Sequence, residues 1–173
     1  MCLSACVALG GASGCAMNPG HEDAQRPHSY EFSRPELLSA QRVFGIGYAT
    51  MLLGQACDTF PDATASYTQW AAQNRATMQQ LTDELADYYR VVAAPSALQR
   101  RVAAAMHLKT ELDLSQTALD EACPTLPATL ALPRLNLQQR LQETLTEVSD
   151  PNYLKLRPKA APMPPVPETK DTP

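Results

Sequence analysis

Alternating runs of β-branched residues are absent, and no strand candidate exceeds a few residues, so a β-sheet has nothing to be built from. Charge is thin, at 18% of residues, and the fourteen Lys and Arg are scattered, with Arg100 and Arg101 as their densest group. With a net charge of −4, that excludes a nucleic-acid footprint, which needs clustered cations. Catalytic signatures are missing too: there is no G-x-S-x-G, H-E-x-x-H, C-x-x-C or C-x-x-C-H. The common hydrolase elbows, zinc proteases and covalently attached haem go with them. Gly45-Ile46-Gly47 has neither a third glycine nor a preceding strand, and Gly10 to Gly14 has no following lysine. Neither is a phosphate cradle, and the first reads as a site of close helix packing. No repeat period is visible. No enzyme activity, metal or other cofactor is expected.

What the chain has is helix-forming composition: 45% hydrophobic residues, many Ala, Leu and Gln, and enough length at 173 residues for one domain with tails. The strongest pattern lies in 66–92. There Tyr67, Trp70, Ala71, Asn74, Met78, Leu81, Leu85, Tyr88 and Val92 recur at three- and four-residue steps, marking one stripe of a long helix. It carries the sole tryptophan and three of the six tyrosines.

The first twenty residues contain no Asp, Glu, Lys or Arg. The apolar, small-residue stretch 1–14 is too short to span a membrane, for which about 20 apolar residues are needed, and reads as a secretory signal. Ala12-Ser13-Gly14-Cys15 and Leu3-Ser4-Ala5-Cys6 both have the form of a bacterial lipobox. Cleavage before Cys15 removes Cys2 and Cys6, leaves Cys15 to be acylated, and retains Cys57 and Cys123 as a pair. Cleavage before Cys6, the alternative, leaves Cys15 as an odd thiol, which exported proteins avoid. Residues 15–32 are then a tether, 33–150 the helical domain, and 151–173 a proline-rich, extended and disordered tail.

Within the domain the sequence predicts helices over 35–57, 63–92 and 96–123 and a short fourth over 136–148. Ser33-Arg34-Pro35-Glu36 and Ser96-Ala97-Leu98-Gln99 have capping-box form, and Asn136 suits an N-cap. The run 43–57 is uncharged on every face, which predicts the most enclosed helix, with Trp70 or Tyr88 opposite its glycines. Short turns make the first three helices antiparallel, the expected fold being an all-α antiparallel bundle. Up, down, up then brings Cys57 and Cys123 to the same end. Oxidised, the pair closes a loop of some 66 residues, worth about 4 kcal/mol through the unfolded state, and requires export. The alternative is two buried free thiols.

Three weaker signals remain. His107 beside Met106, with Met51 or Met78 facing, could hold haem or copper in a bundle, although core packing is the commoner use of methionine. Asn74 inside the apolar stripe fixes helix register or binds a ligand. Asp58, Asp62, Asp120 and Glu121 gather at the disulfide end, as Ca²⁺ ligands or as a solvated acidic tip.

Cys57 to Asn74 reads C-x-x-x-P followed by Tyr67, Trp70 and Asn74. This resembles small helical periplasmic proteins and lipoproteins of proteobacteria. The combination of lipobox, compact helical domain and one disulfide is also similar to the pilotin lipoproteins of type II secretion, which grip a secretin segment between helices. The resemblance implies a periplasmic protein attached to the outer membrane by its N-terminal lipid. Its partner would be another envelope protein, held by Tyr67, Trp70, Asn74, Tyr88 and Tyr89. A periplasmic immunity or inhibitor lipoprotein is the narrower form of that expectation.

Overall fold

Proline opens the first three helices: Pro35, Pro61 and Pro95 each take the first helical position, where the missing N–H costs nothing. The computed structural model describes residues 30–153, and among these every regular element is helical. The elements are α1 (Pro35–Ala56), α2 (Pro61–Tyr89), α3 (Pro95–Ala105), α4 (Gln116–Ala122), α5 (Leu126–Leu130) and α6 (Leu137–Val148). Single 3₁₀ turns fall at Cys123–Thr125 and Pro133–Leu135. The signal-like segment, Cys6, Cys15, nearly all of the tether and the tail beyond 153 lie outside the described residues.

α1 and α2 form the central antiparallel pair. Gln41 meets Tyr89, Gly47 meets Met78 and Gly54 meets Tyr67, so residue numbers rise on one helix as they fall on the other. The two glycines permit this approach: a Cβ on Gly54 would stand 2.2 Å from the Tyr67 ring, and one on Gly47 2.3 Å from Met78 Sδ. Close packing against glycine is thus present, but Tyr67 and Met78 supply it instead of Trp70 and Tyr88. α6 lies antiparallel along α1, with Leu137 at Gly47 and Glu147 at Arg42, 3.2 Å from its guanidinium. The shared core gathers Phe44, Tyr48, Leu81, Leu85, Val102, Leu126 and Leu137, all fully enclosed.

Capping departs from the expected pattern. α1 starts from Arg34 and α3 from Ala94, neither with a side-chain cap. The N1 prolines fix the start, leaving Ser33 one residue too early; its N–H and hydroxyl both donate to Glu31. Asn136 does cap α6, its Oδ1 accepting from Gln139 N at 3.1 Å.

The largest correction concerns the third helix. It is not continuous over 96–123 but ends at Ala105, and an irregular stretch precedes α4. His107 takes a left-handed conformation (φ 57°), its N–H bonding Ala104 O while Leu108 N–H bonds Ala103 O. That is a Schellman stop, and Arg90 (φ 54°) ends α2 the same way through Arg90 to Asp87 and Val91 to Ala86. Val91 and Leu108, the residues just past each stop, pack back on the core. Nor does α3 retrace α2. Its first turn shares a groove with Gln79, Thr82 and Asp83, while Arg101, Ala104 and Ala105 lie by Tyr89 to Val92.

Cys57 and Cys123 nevertheless meet. They form a disulfide with Cα atoms 5.5 Å apart, spanning 66 residues and wholly buried, at the tip where α1 ends and α2 begins. The chain reaches it through the irregular stretch and α4 instead of along a third rod.

Candidate functional site

On one face of the α1–α2 pair, beside the first turn of α3, a groove of about 480 Å³ opens. Its floor is Gly47 and Met51 from α1 with Tyr67, Trp70, Ala71, Asn74 and Met78 from α2. Pro95 to Gln99 wall one end, and Arg75, Gln79 and Asp83 stand exposed along the rim. The run 43–57 is therefore enclosed only in part. Val43, Phe44, Gly47 and Tyr48 are buried, whereas Met51, Leu52 and Leu53 are half-buried and Ala49 and Gln55 exposed.

The aromatic part of the groove is built from helix spacing. Tyr67 and Trp70, three residues apart, stack with ring centroids 6.0 Å apart and planes 25° from parallel. Trp70 is buried, and its indole N–H donates to Leu135 O at 2.8 Å, which pins the turn ahead of α6. Tyr67 is half-buried, and burial raises its phenol pKa above the ordinary tyrosine value. It is the aromatic side chain that a visitor would meet.

Asn74 is a register residue. Its Oδ1 accepts from Leu137 N at 2.8 Å and its Nδ2 donates to Trp70 O at 2.9 Å. The side chain thus satisfies the first N–H of α6 across 63 residues of sequence, in a site only 5% exposed. With both polar atoms engaged inside the protein, Asn74 shapes the groove wall without offering a bond to a ligand.

Tyr88 and Tyr89 are placed elsewhere, at the opposite pole from the disulfide. Tyr89 is buried and its hydroxyl accepts from Gln41 Nε2 at 2.6 Å. Tyr88 donates to Glu31 Oε2 at 3.1 Å, lies edge-on to Tyr89 and carries Arg34 5.7 Å from its ring centroid. Glu31 N–H in turn donates to Gln41 Oε1 at 2.8 Å. These bonds strap 30–34 to the bundle. Bonds from Ser33, first through its hydroxyl, and from Tyr88 hold the Glu31 carboxyl below the ordinary glutamate range. Of the five residues expected to hold a partner, the structure brings Tyr67, Trp70 and Asn74 together and gives Tyr88 and Tyr89 to this strap.

The metal and haem readings gain no geometry. His107 is exposed in the turn after α3, while Met51 and Met78 line the groove. Among the described residues no three His, Cys, Asp or Glu side chains gather as a metal set, and Asp58, Asp62, Asp120 and Glu121 are all exposed. No helix of the described residues is long and apolar enough to cross a membrane.

Sequence reasoning did not assign Gly47, Ala71, Arg75 or Asp83 to the site. The available signal was the uncharged run 43–57, which has more apolar surface than its neighbours cover. No family model, curated protein or solved structure matches the chain.

Proposed function

We propose that this chain is an exported helical lipoprotein, anchored to the outer membrane through an acylated Cys15 (Cys6 being the alternative), that works by holding a segment of another envelope protein. The observation that carries the reading is the open groove beside Tyr67 in a bundle closed by the Cys57–Cys123 disulfide. A disulfide of this kind persists outside the cytoplasm, which supports export. A groove with an uncharged floor, a stacked aromatic pair and two adaptable methionines suits an apolar peptide segment, and that favours a pilotin-like or accessory role. Nothing in the groove supports a reaction, so none is proposed.

The test is capture from the membrane fraction with the full-length lipidated protein, in parallel with Ala71→Arg and Val92→Glu. Ala71 is half-buried on the groove floor, so an arginine there fills the groove; Val92 is 98% exposed and outside it. The reading expects one envelope protein held by wild type and Val92→Glu and lost from Ala71→Arg. A partner that Ala71→Arg retains in full would refute it.

A further inference from the structure

The groove has a measurable length. Its floor and rim follow α2 from Tyr67 to Asp83, sixteen steps at 1.5 Å, or about 24 Å. Among the described residues that line it, the only charges are Arg75 and, at the far end, Asp83. Aromatic-lined grooves of this kind accept polyproline-type segments, which are extended before binding and lose little conformational freedom on docking.

The chain itself contains such a segment. Residues 160–167 read Ala-Ala-Pro-Met-Pro-Pro-Val-Pro, eight uncharged residues that span about 25 Å at 3.1 Å each. Lys155, Arg157 and Lys159 precede them and Glu168 follows. The described chain ends at Tyr153, whose hydroxyl accepts from Arg42 Nη1 at 3.0 Å. Gln41 faces Tyr89 and Gly47 faces Met78 across the antiparallel pair, so Arg42 stands near the level of the Asp83 end of the groove. Residues 154–159 extend up to about 20 Å, a reach on the scale of one helix width and its side chains.

We propose that residues 160–167 of the same molecule occupy the groove, with Lys159 beside Asp83 and the prolines running toward Tyr67 and Trp70. The proposal rests on the reading of this groove as a peptide-binding surface and specifies its chemistry: an extended, proline-containing, uncharged segment preceded by a cation. The tail then acts as a competitor that an external partner must displace. Because it is attached, its effective concentration is in the millimolar range, enough for a weak segment to fill the site most of the time.

The experiment uses the full-length chain. With Val166→p-benzoylphenylalanine, irradiation should join the tail to Met51, Tyr67 or Ala71 of the same molecule, and mass spectrometry reads the site. A fluorescent peptide of sequence 157–168 should bind the tail variant Pro162→Ser/Pro164→Ser/Pro165→Ser about tenfold more tightly than wild type, whose groove is about nine-tenths self-occupied. Asp83→Lys in the tail variant should weaken the peptide severalfold. Cross-links outside the groove, or equal peptide affinity for both proteins, would overturn the proposal. Cross-links between two molecules would also overturn it, by assigning the site to a second copy's tail. If the tail variant captures the envelope partner no better than wild type, the tail is not the occupant, while the groove reading itself survives through the loss seen with Ala71→Arg.

Discussion

Asn74→Ala strikes the joint between the central helix pair and α6. The substitution removes the acceptor of Leu137 N–H, at 2.8 Å, from a site where Leu137 is fully buried and Asn74 is 5% exposed. No other described group accepts that N–H, because the first turn of a helix has no intrahelical partner for its donors. An orphaned buried donor costs about 1–3 kcal/mol, and the small void adds about 1 kcal/mol, so the variant should lose about 2–4 kcal/mol. Loss of the Nδ2 bond to Trp70 O adds little, since that carbonyl already serves the α2 ladder. Asn74→Asp keeps the acceptor and sets a carboxylate at the N-terminus of α6, where the helix dipole favours it, so it should fall between wild type and alanine. Urea unfolding followed by far-UV circular dichroism measures the difference, and amide exchange at Leu137 localises it. An alanine variant within about 0.5 kcal/mol of wild type, with Leu137 still protected, would refute the assignment of Asn74 as the acceptor that ties the first N–H of α6 to α2.

Other substitutions separate further parts of the account. Gly54→Ala should destabilise by about 1–3 kcal/mol, since its Cβ would fall 2.2 Å from the Tyr67 ring. Gly45→Ala, with nothing within 4 Å, should stabilise by up to about 1 kcal/mol; thermal unfolding giving both the same sign would contradict the packing described. Reducing the disulfide should cost about 4 kcal/mol in urea while leaving the helical spectrum nearly intact, and an unchanged midpoint would show that the 66-residue loop is not a constraint on the unfolded chain. For Glu31 the bonds from Ser33 and Tyr88 lower the folded pKa. Its contribution is therefore present above the unfolded glutamate pKa and is lost as pH falls through the folded value. A carboxyl ¹³C titration should place its midpoint below the ordinary range, and a midpoint at or above that range would mean the strap is not formed in solution.

The sequence was most informative where punctuation and periodicity agreed. Proline at 35 marked the start of α1, the apolar stripe from Tyr67 located α2 to within a few residues, and Asn136 marked the start of α6; Pro61, which suits a turn equally well, in fact opens α2. The disulfide was legible from parity and helix ends, even though one of the three rods behind that inference does not exist. The third helix was misread for a physical reason. Schellman stops are normally announced by glycine at the left-handed position, and here Arg90 and His107 occupy it. The apolar spacing of Leu98, Val102, Ala105 and Leu108 runs straight through the second stop, because Leu108 folds back onto the core that a continued helix would also have touched. Tyr67, Trp70 and Asn74, read from the α2 stripe, do share the groove, whereas the contributions of Gly47 from α1 and of Pro95 and Leu98 from α3 follow from helix placement that no local pattern announces. Tyr88 and Tyr89 read as part of the surface stripe because no pattern announces that Glu31 and Gln41 return to them.

The central claim, an exported and lipid-tethered bundle with its one buried sulfur pair oxidised, is tested most directly by intact mass spectrometry of the protein extracted from membranes. The account predicts an N-terminus at Cys15 carrying thioether-linked and amide-linked acyl chains, with Cys57 and Cys123 two protons short of their reduced mass. An unacylated chain that retains the residues before Cys15 and has five free thiols would contradict it.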